Sequence, residues 1–111
     1  MSVDHYENFP VASLLCPPGL RPAVSAIYGF ARTADDIADE GDATANQRLA
    51  DLAAYRDDLH AVRGRGARSS RWPQVFDPLA AVLARHALPV ELLTDLLSAF
   101  EQDVVQHAYE P

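Results

Sequence analysis

The stretch from Tyr28 to Glu40, Tyr-Gly-Phe-Ala-Arg-Thr-Ala-Asp-Asp-Ile-Ala-Asp-Glu, constrains this chain more than any other. Wound at ~100° per residue, it gathers Tyr28, Arg32, Asp35 and Asp39 into roughly a 60° sector of a helix, with Ser25 and Asp36 on the flanks. Val24, Ile27, Ala31, Ala34, Ile37 and Ala38 cover the other side, with Phe30 between them. The same helix therefore has an apolar face to bury and an acidic face that packing does not explain.

Asp35 and Asp39 stand one turn apart, and like charges so placed destabilise a helix by about 0.2–0.5 kcal/mol. Carboxylates at this spacing suit a hard divalent cation, since Mg²⁺ typically takes one or two carboxylates plus substrate phosphate oxygens. Arg32, one turn before Asp35 and Asp36, is placed to hold a carboxylate or to grip a phosphate with two parallel bonds. A solvated acidic face neutralised by Arg32 has the same pattern. Spacing alone leaves both readings open, and acidic clusters of this kind occur on many exposed helices.

Punctuation divides the rest of the chain into helix-length pieces. A short helix is expected over Pro10–Leu15, stopped by Pro17-Pro18-Gly19. The main helix starts near Leu20 or Arg21, tolerates Pro22 in its first turn, and ends near Glu40-Gly41. Thr44-Ala45-Asn46-Gln47 fits a capping box. The helix that follows has Leu49, Leu52, Ala53, Leu59 and Val62 inward and Arg48, Asp51, Asp57 and Asp58 outward, as a packing helix would. Arg63 to Arg71 reads as a basic, glycine-rich connector, closed by Trp72-Pro73. A further helix over Val75–Ala87 buries Val75, Leu79, Val82, Leu83 and Ala87. Pro89 opens the last, with Leu92, Leu93, Leu96, Leu97 and Phe100 inward. No segment alternates apolar and polar residues as a half-buried strand does. The expected fold class is all-α.

Composition removes several functional classes. A net charge of −7 argues against general nucleic-acid binding, which needs a basic face. No apolar run approaches the ~20 residues that span a bilayer, and Met1-Ser2-Val3-Asp4-His5 lacks the features of a signal peptide, so a cytoplasmic location is expected. Cys16 is the single cysteine, which excludes an internal disulfide, and it reads as a small core residue. All nine basic residues are arginines, so no lysine Schiff base forms in this chain. His5, His60, His86 and His107 show no metal-binding spacing. On spacing alone Asp103 is an ordinary helix-surface acid.

Three segments together, His5-Tyr6-Glu7-Asn8-Phe9-Pro10-Val11-Ala12-Ser13, Ala26 to Asp39, and Ala99-Phe100-Glu101-Gln102-Asp103-Val104-Val105, resemble the squalene/phytoene synthase family, and within it the hydroxysqualene synthase branch of bacterial hopanoid biosynthesis. The resemblance runs from about His5 to Tyr109. It implies an all-α isoprenoid synthase fold, of which residues 1–111 would be the N-terminal helices of a single domain, an incomplete bundle. Asp35 and Asp39 match the carboxylates that bind Mg²⁺ bridging a diphosphate, with Asp36 beside them. Arg32 matches a position towards phosphate and Tyr28 one towards the reacting carbons. His5 and Phe9 match an N-terminal segment that closes over the diphosphate, and Asp103 and Tyr109 match a later acid and tyrosine facing the cavity.

Two departures qualify the match. The family usually carries a basic residue before the tyrosine aligned with Tyr109, and here it is Ala108. The family's second aspartate-rich helix has no counterpart before Pro111, so the 111 residues alone are expected to be inactive and prone to self-association. The implied substrate is a prenyl diphosphate, presqualene or farnesyl, with Mg²⁺ as cofactor. Such substrates are lipid-soluble, so peripheral contact with the inner membrane is compatible with this reading. Two other readings stay open: a presqualene diphosphate or phytoene synthase, and a catalytically inactive helical interaction module.

Overall fold

A computed structural model describes residues 18–62, 64 and 68–108. The expected helix over Pro10–Leu15 and the position of Cys16 lie outside the described residues. Among those described there are four α-helices and no strand: α1 (Arg21–Asp39), α2 (Ala45–Ala61), α3 (Pro73–His86) and α4 (Glu91–Ala108), with a 3₁₀ turn at Pro18–Leu20 leading into α1. The all-α class holds.

The boundaries follow from local chemistry. Pro22 sits in the first turn of α1, where a missing N–H costs nothing. The chain leaves α1 through Gly41, at φ +77°, a conformation that disfavours any residue with a Cβ. Thr44 then caps α2: its hydroxyl accepts from Gln47 N at 3.1 Å, and its own N–H donates to Gln47 Oε1 at 2.9 Å. This is the expected capping box. Pro73 opens α3, and Ala87, in the left-handed conformation at φ 51°, ends it.

Helix α1 packs against α2, α3 and α4, and α2 also packs against α4. Small residues at Ala23, Ala26 and Ala34 line the buried face of α1 around Phe30. Phe30 is the α1 member of an aromatic cluster. Its ring stacks on Tyr55 of α2 at 5.1 Å, and Tyr55 meets Phe76 at 5.0 Å and Trp72 at 4.9 Å. Each such pair adds about 0.5–1.5 kcal/mol beyond area burial. The Tyr55 hydroxyl donates to Phe30 O at 2.8 Å, which satisfies the only polar atom of that side chain. Burial pushes the Tyr55 phenol well above its ordinary range, so it stays a neutral donor. Arg56 ties α2 to α4 through Glu101 at 2.7 Å and Ser98 Oγ at 3.1 Å.

Four side-chain placements differ from expectation, and one is Ala87, which is exposed because it ends α3 in the left-handed conformation instead of extending its buried face. Asp58 is buried rather than outward, because Ser69 N and Ser69 Oγ both donate to its carboxylate at 2.8 Å and offset its desolvation. The segment after residue 67 is thereby anchored to α2 instead of being only a solvated connector. Ala53 is exposed, and Tyr55 takes the central inward position. Leu92 is 65% exposed, because the buried face of α4 runs through Leu93, Leu97 and Val104, about a third of a turn away. Leu96 and Phe100 are half-buried beside that face.

Candidate functional site

The acidic helix forms as its periodicity requires, and α1 brings Tyr28, Arg32, Asp35, Asp36 and Asp39 together on the side opposite Phe30. Tyr28, Asp35 and Asp36 are half-buried, while Arg32 and Asp39 are exposed. The ion pair on this helix joins Arg32 Nε to Asp36 Oδ1 at 3.3 Å. It engages the flanking acid, and the Arg32 charge also acts on Asp35, whose carboxyl pKa it lowers somewhat. Asp36 in turn raises the Arg32 pKa, burial works against that, and the Tyr28 phenol adds a smaller rise.

Asp35 has a different environment. Burial raises its carboxyl above the ordinary 3.8, and the neighbouring Asp39 raises it further, with a smaller push from Asp36 and only partial relief from Arg32. A half-buried carboxylate held beside a second one favours either a proton or a multivalent cation. Among the described residues no three His, Cys, Asp or Glu side chains gather to hold a metal. Asp35 and Asp39 could by themselves supply only part of a coordination sphere. That fits Mg²⁺, which keeps phosphate and water oxygens among its six ligands, better than a metal that needs a closed protein cage.

Asp103 stands on α4, exposed, next to buried Val104. It belongs to a helix that packs on α1 rather than to the acidic face itself. His5, Phe9 and Tyr109 lie outside the described residues. Sequence reasoning missed Arg48, whose guanidinium reaches back to the end of α1. The signal was present: three acids close α1 with no basic residue in its last turn, and an arginine follows a few residues on.

The squalene/phytoene synthase model matches residues 3–110, nearly the whole chain. The chain belongs to the squalene/phytoene synthase family. It is 42% identical over 106 residues to a hydroxysqualene synthase of Zymomonas mobilis, an alignment covering 94% of this chain and 33% of that protein. A hydroxysqualene synthase of Rhodopseudomonas palustris is 40% identical over 94% of this chain and 33% of its own length. A 15-cis-phytoene synthase of Paracoccus is 34% identical over 93% of this chain and 34% of its length. The chain thus spans about a third of the length of the curated relatives it matches. No solved structure matches it. No described helix is long and apolar enough to cross a membrane.

Proposed function

We propose that this chain forms the first wall of the active site of a Mg²⁺-dependent synthase that converts presqualene diphosphate and water to hydroxysqualene and diphosphate, in hopanoid biosynthesis. The observation that carries the reading is the Asp35–Asp39 pair. A helix face on which one carboxyl stays above its ordinary pKa beside a second acid, although Arg32 lies on the same face and lowers it somewhat, is poorly explained as a neutralised surface.

Asp35 and Asp39 would hold the ion, which when bound supplies Lewis-acid neutralisation of the diphosphate leaving group. Arg32 keeps its charge under all relevant conditions and offers a planar fork to phosphate oxygens, with Asp36 orienting it. Tyr28, one turn before Arg32, presents an aromatic face suited to positive charge on carbon. Asp103, on α4, and His5, Phe9 and Tyr109, outside the described residues, would add further substrate contacts, as the family resemblance implies. Departure of diphosphate breaks a carbon–oxygen bond, and the cyclopropylcarbinyl cation left behind rearranges by carbon–carbon bond migration that opens its ring. Addition of water to the rearranged cation forms a new carbon–oxygen bond with release of a proton. The exchange needs no reductant. Peripheral contact with the inner membrane, the source of so apolar a substrate, belongs to the same reading.

Supplied with presqualene diphosphate and Mg²⁺ but no NADPH, the full-length protein carrying this sequence should release an alcohol, detected by mass spectrometry of the extract. The extensive match to a phytoene synthase favours one second reading, head-to-head condensation of farnesyl or geranylgeranyl diphosphate to presqualene diphosphate or phytoene. Phytoene from geranylgeranyl diphosphate, with presqualene diphosphate untouched, would select it. The 111 residues alone carry half a cation site and leave Leu92, Val105 and Leu20 exposed. They should self-associate and show no turnover; a monomer that turns over substrate would contradict this.

A further inference from the structure

The end of α1 is electrostatically ill-placed. Asp35, Asp36 and Asp39 crowd its last turns, followed by Glu40, and no basic residue lies in the last turn. Acidic groups at a helix C-terminus oppose the macrodipole, whose negative end is there, and the last carbonyls have no intrahelical donors. Glu40 N still donates to Asp36 O at 2.9 Å, and among the described residues no further backbone donor reaches the carbonyls that follow. Asp39 is the final helical residue. Left to itself, such an end frays.

Arg48, in the first turns of α2, supplies what α1 lacks. Its Nη1 donates to Ile37 O at 3.1 Å and to Glu40 O at 3.0 Å, the carbonyls on either side of Asp39. Its Nη2 donates to Gly41 O at 2.8 Å, and its Nε to Ala43 O at 3.2 Å. One guanidinium thus satisfies four carbonyls and places a cation at the negative end of the helix. The fork geometry matters, because a lysine ammonium could not span all four positions. The turn that delivers Arg48 is fixed independently, by Gly41 at φ +77° and by the Thr44–Gln47 capping box.

We propose that Arg48 is a positioning residue for the cation site: it locks the last turn of α1 and so fixes the spacing between the Asp35 and Asp39 carboxylates. The inference rests on the reading of those two aspartates as cation ligands. A site whose second ligand sits on the terminal residue of a helix keeps its geometry only if that terminus is held. Arg48 touches neither carboxylate in this role; it acts through the backbone.

The test uses the full-length protein and Mn²⁺ as probe, followed by the electron paramagnetic resonance signal of the free ion, with amide hydrogen exchange in parallel. Mn²⁺ uptake that disappears in Asp35→Asn and Asp39→Asn defines the α1 site. Arg48→Ala should weaken that uptake on the order of tenfold, the usual effect of losing a partner that orients a ligand. It should also speed exchange across residues 37–43 while leaving the Tyr55 and Phe76 regions unchanged. Arg48→Lys, which keeps the charge, should fall between and guards against loss of folding in the alanine variant. Thr44→Ala loosens the capping box that helps deliver Arg48 and should weaken Mn²⁺ uptake less than Arg48→Ala does. Wild-type affinity in Arg48→Ala, or equal weakening in Thr44→Ala, overturns the role of Arg48 while the cation reading stands. Uptake unaffected by Asp35→Asn and Asp39→Asn overturns both.

Discussion

The two faces of α1 are built on opposite principles. On one side Phe30 is fully buried, stacked on Tyr55, edge-on to Phe76 at 6.2 Å, and its backbone carbonyl accepts the Tyr55 hydroxyl. Phe30 and Tyr55 thus have their partners inside the protein, and each ring pair adds about 0.5–1.5 kcal/mol beyond area burial. Across the helix, Asp35 is held near Asp39 with its carboxyl pushed up by burial and by like charge. That face costs stability. The contrast shows which side of the helix is a packing surface and which is retained for another reason, and it shows that the first supports the second: the aromatic cluster anchors a helix whose acidic end would not hold itself.

Substitutions on the two faces should therefore separate cleanly. Phe30→Ala removes a fully buried ring from the centre of the cluster and should cost about 3–5 kcal/mol in denaturant unfolding of the full-length protein. A loss under 1 kcal/mol would mean that the aromatic cluster does not anchor α1. Tyr55→Phe keeps the ring contacts and deletes one buried hydrogen bond, so about 0.5–1.5 kcal/mol is expected from the same measurement.

The acidic face should show the opposite sign. The folded state holds the Asp35 proton more tightly than the unfolded chain does, so ionising Asp35 opposes folding. Below the ordinary 3.8 that penalty is absent; it grows as pH rises through the raised pKa and is complete above it. Without divalent cations, Asp35→Asn should thus match or slightly exceed wild type in stability at neutral pH, and its advantage should shrink as pH falls towards 3.8. An advantage that grows on acidification would reverse the assignment of which group is strained. Asp51→Asn, which breaks an exposed pair with Arg71 at 3.1 Å, is the mildest change, expected to alter stability by about 0–1 kcal/mol and turnover not at all.

Helix α1 was legible from sequence, because its expected ends near Leu20 and Gly41 are marked by proline and glycine and its two faces are cleanly segregated. The capping box was legible for the same reason: four consecutive residues carry the whole interaction. Helix α2 was harder, since charged and apolar residues interleave around it. Tyr55 and Asp58 are buried through partners distant in sequence, Phe30 and Ser69, and no local pattern announces those. Leu92 shows a second limit. Periodicity gives the width of an apolar stripe on α4 but not which part of it the neighbouring helices cover. At the site, spacing put Asp35 beside Asp39 but left open whether Arg32 neutralised them; the structure pairs Arg32 with Asp36. Arg48 went unread because it works on backbone carbonyls, which every sequence shares, and the run of acids closing α1 was the one hint of a cation there.

The central claim is that the acidic face of α1 holds a cation for chemistry rather than charge for solubility. Turnover of presqualene diphosphate by the full-length Asp35→Asn and Asp39→Asn proteins at ordinary Mg²⁺, measured beside their melting temperatures, tests it most directly. Each variant should lose on the order of a hundredfold or more in rate while melting within a few degrees of wild type. Near-wild-type turnover in both would contradict the claim.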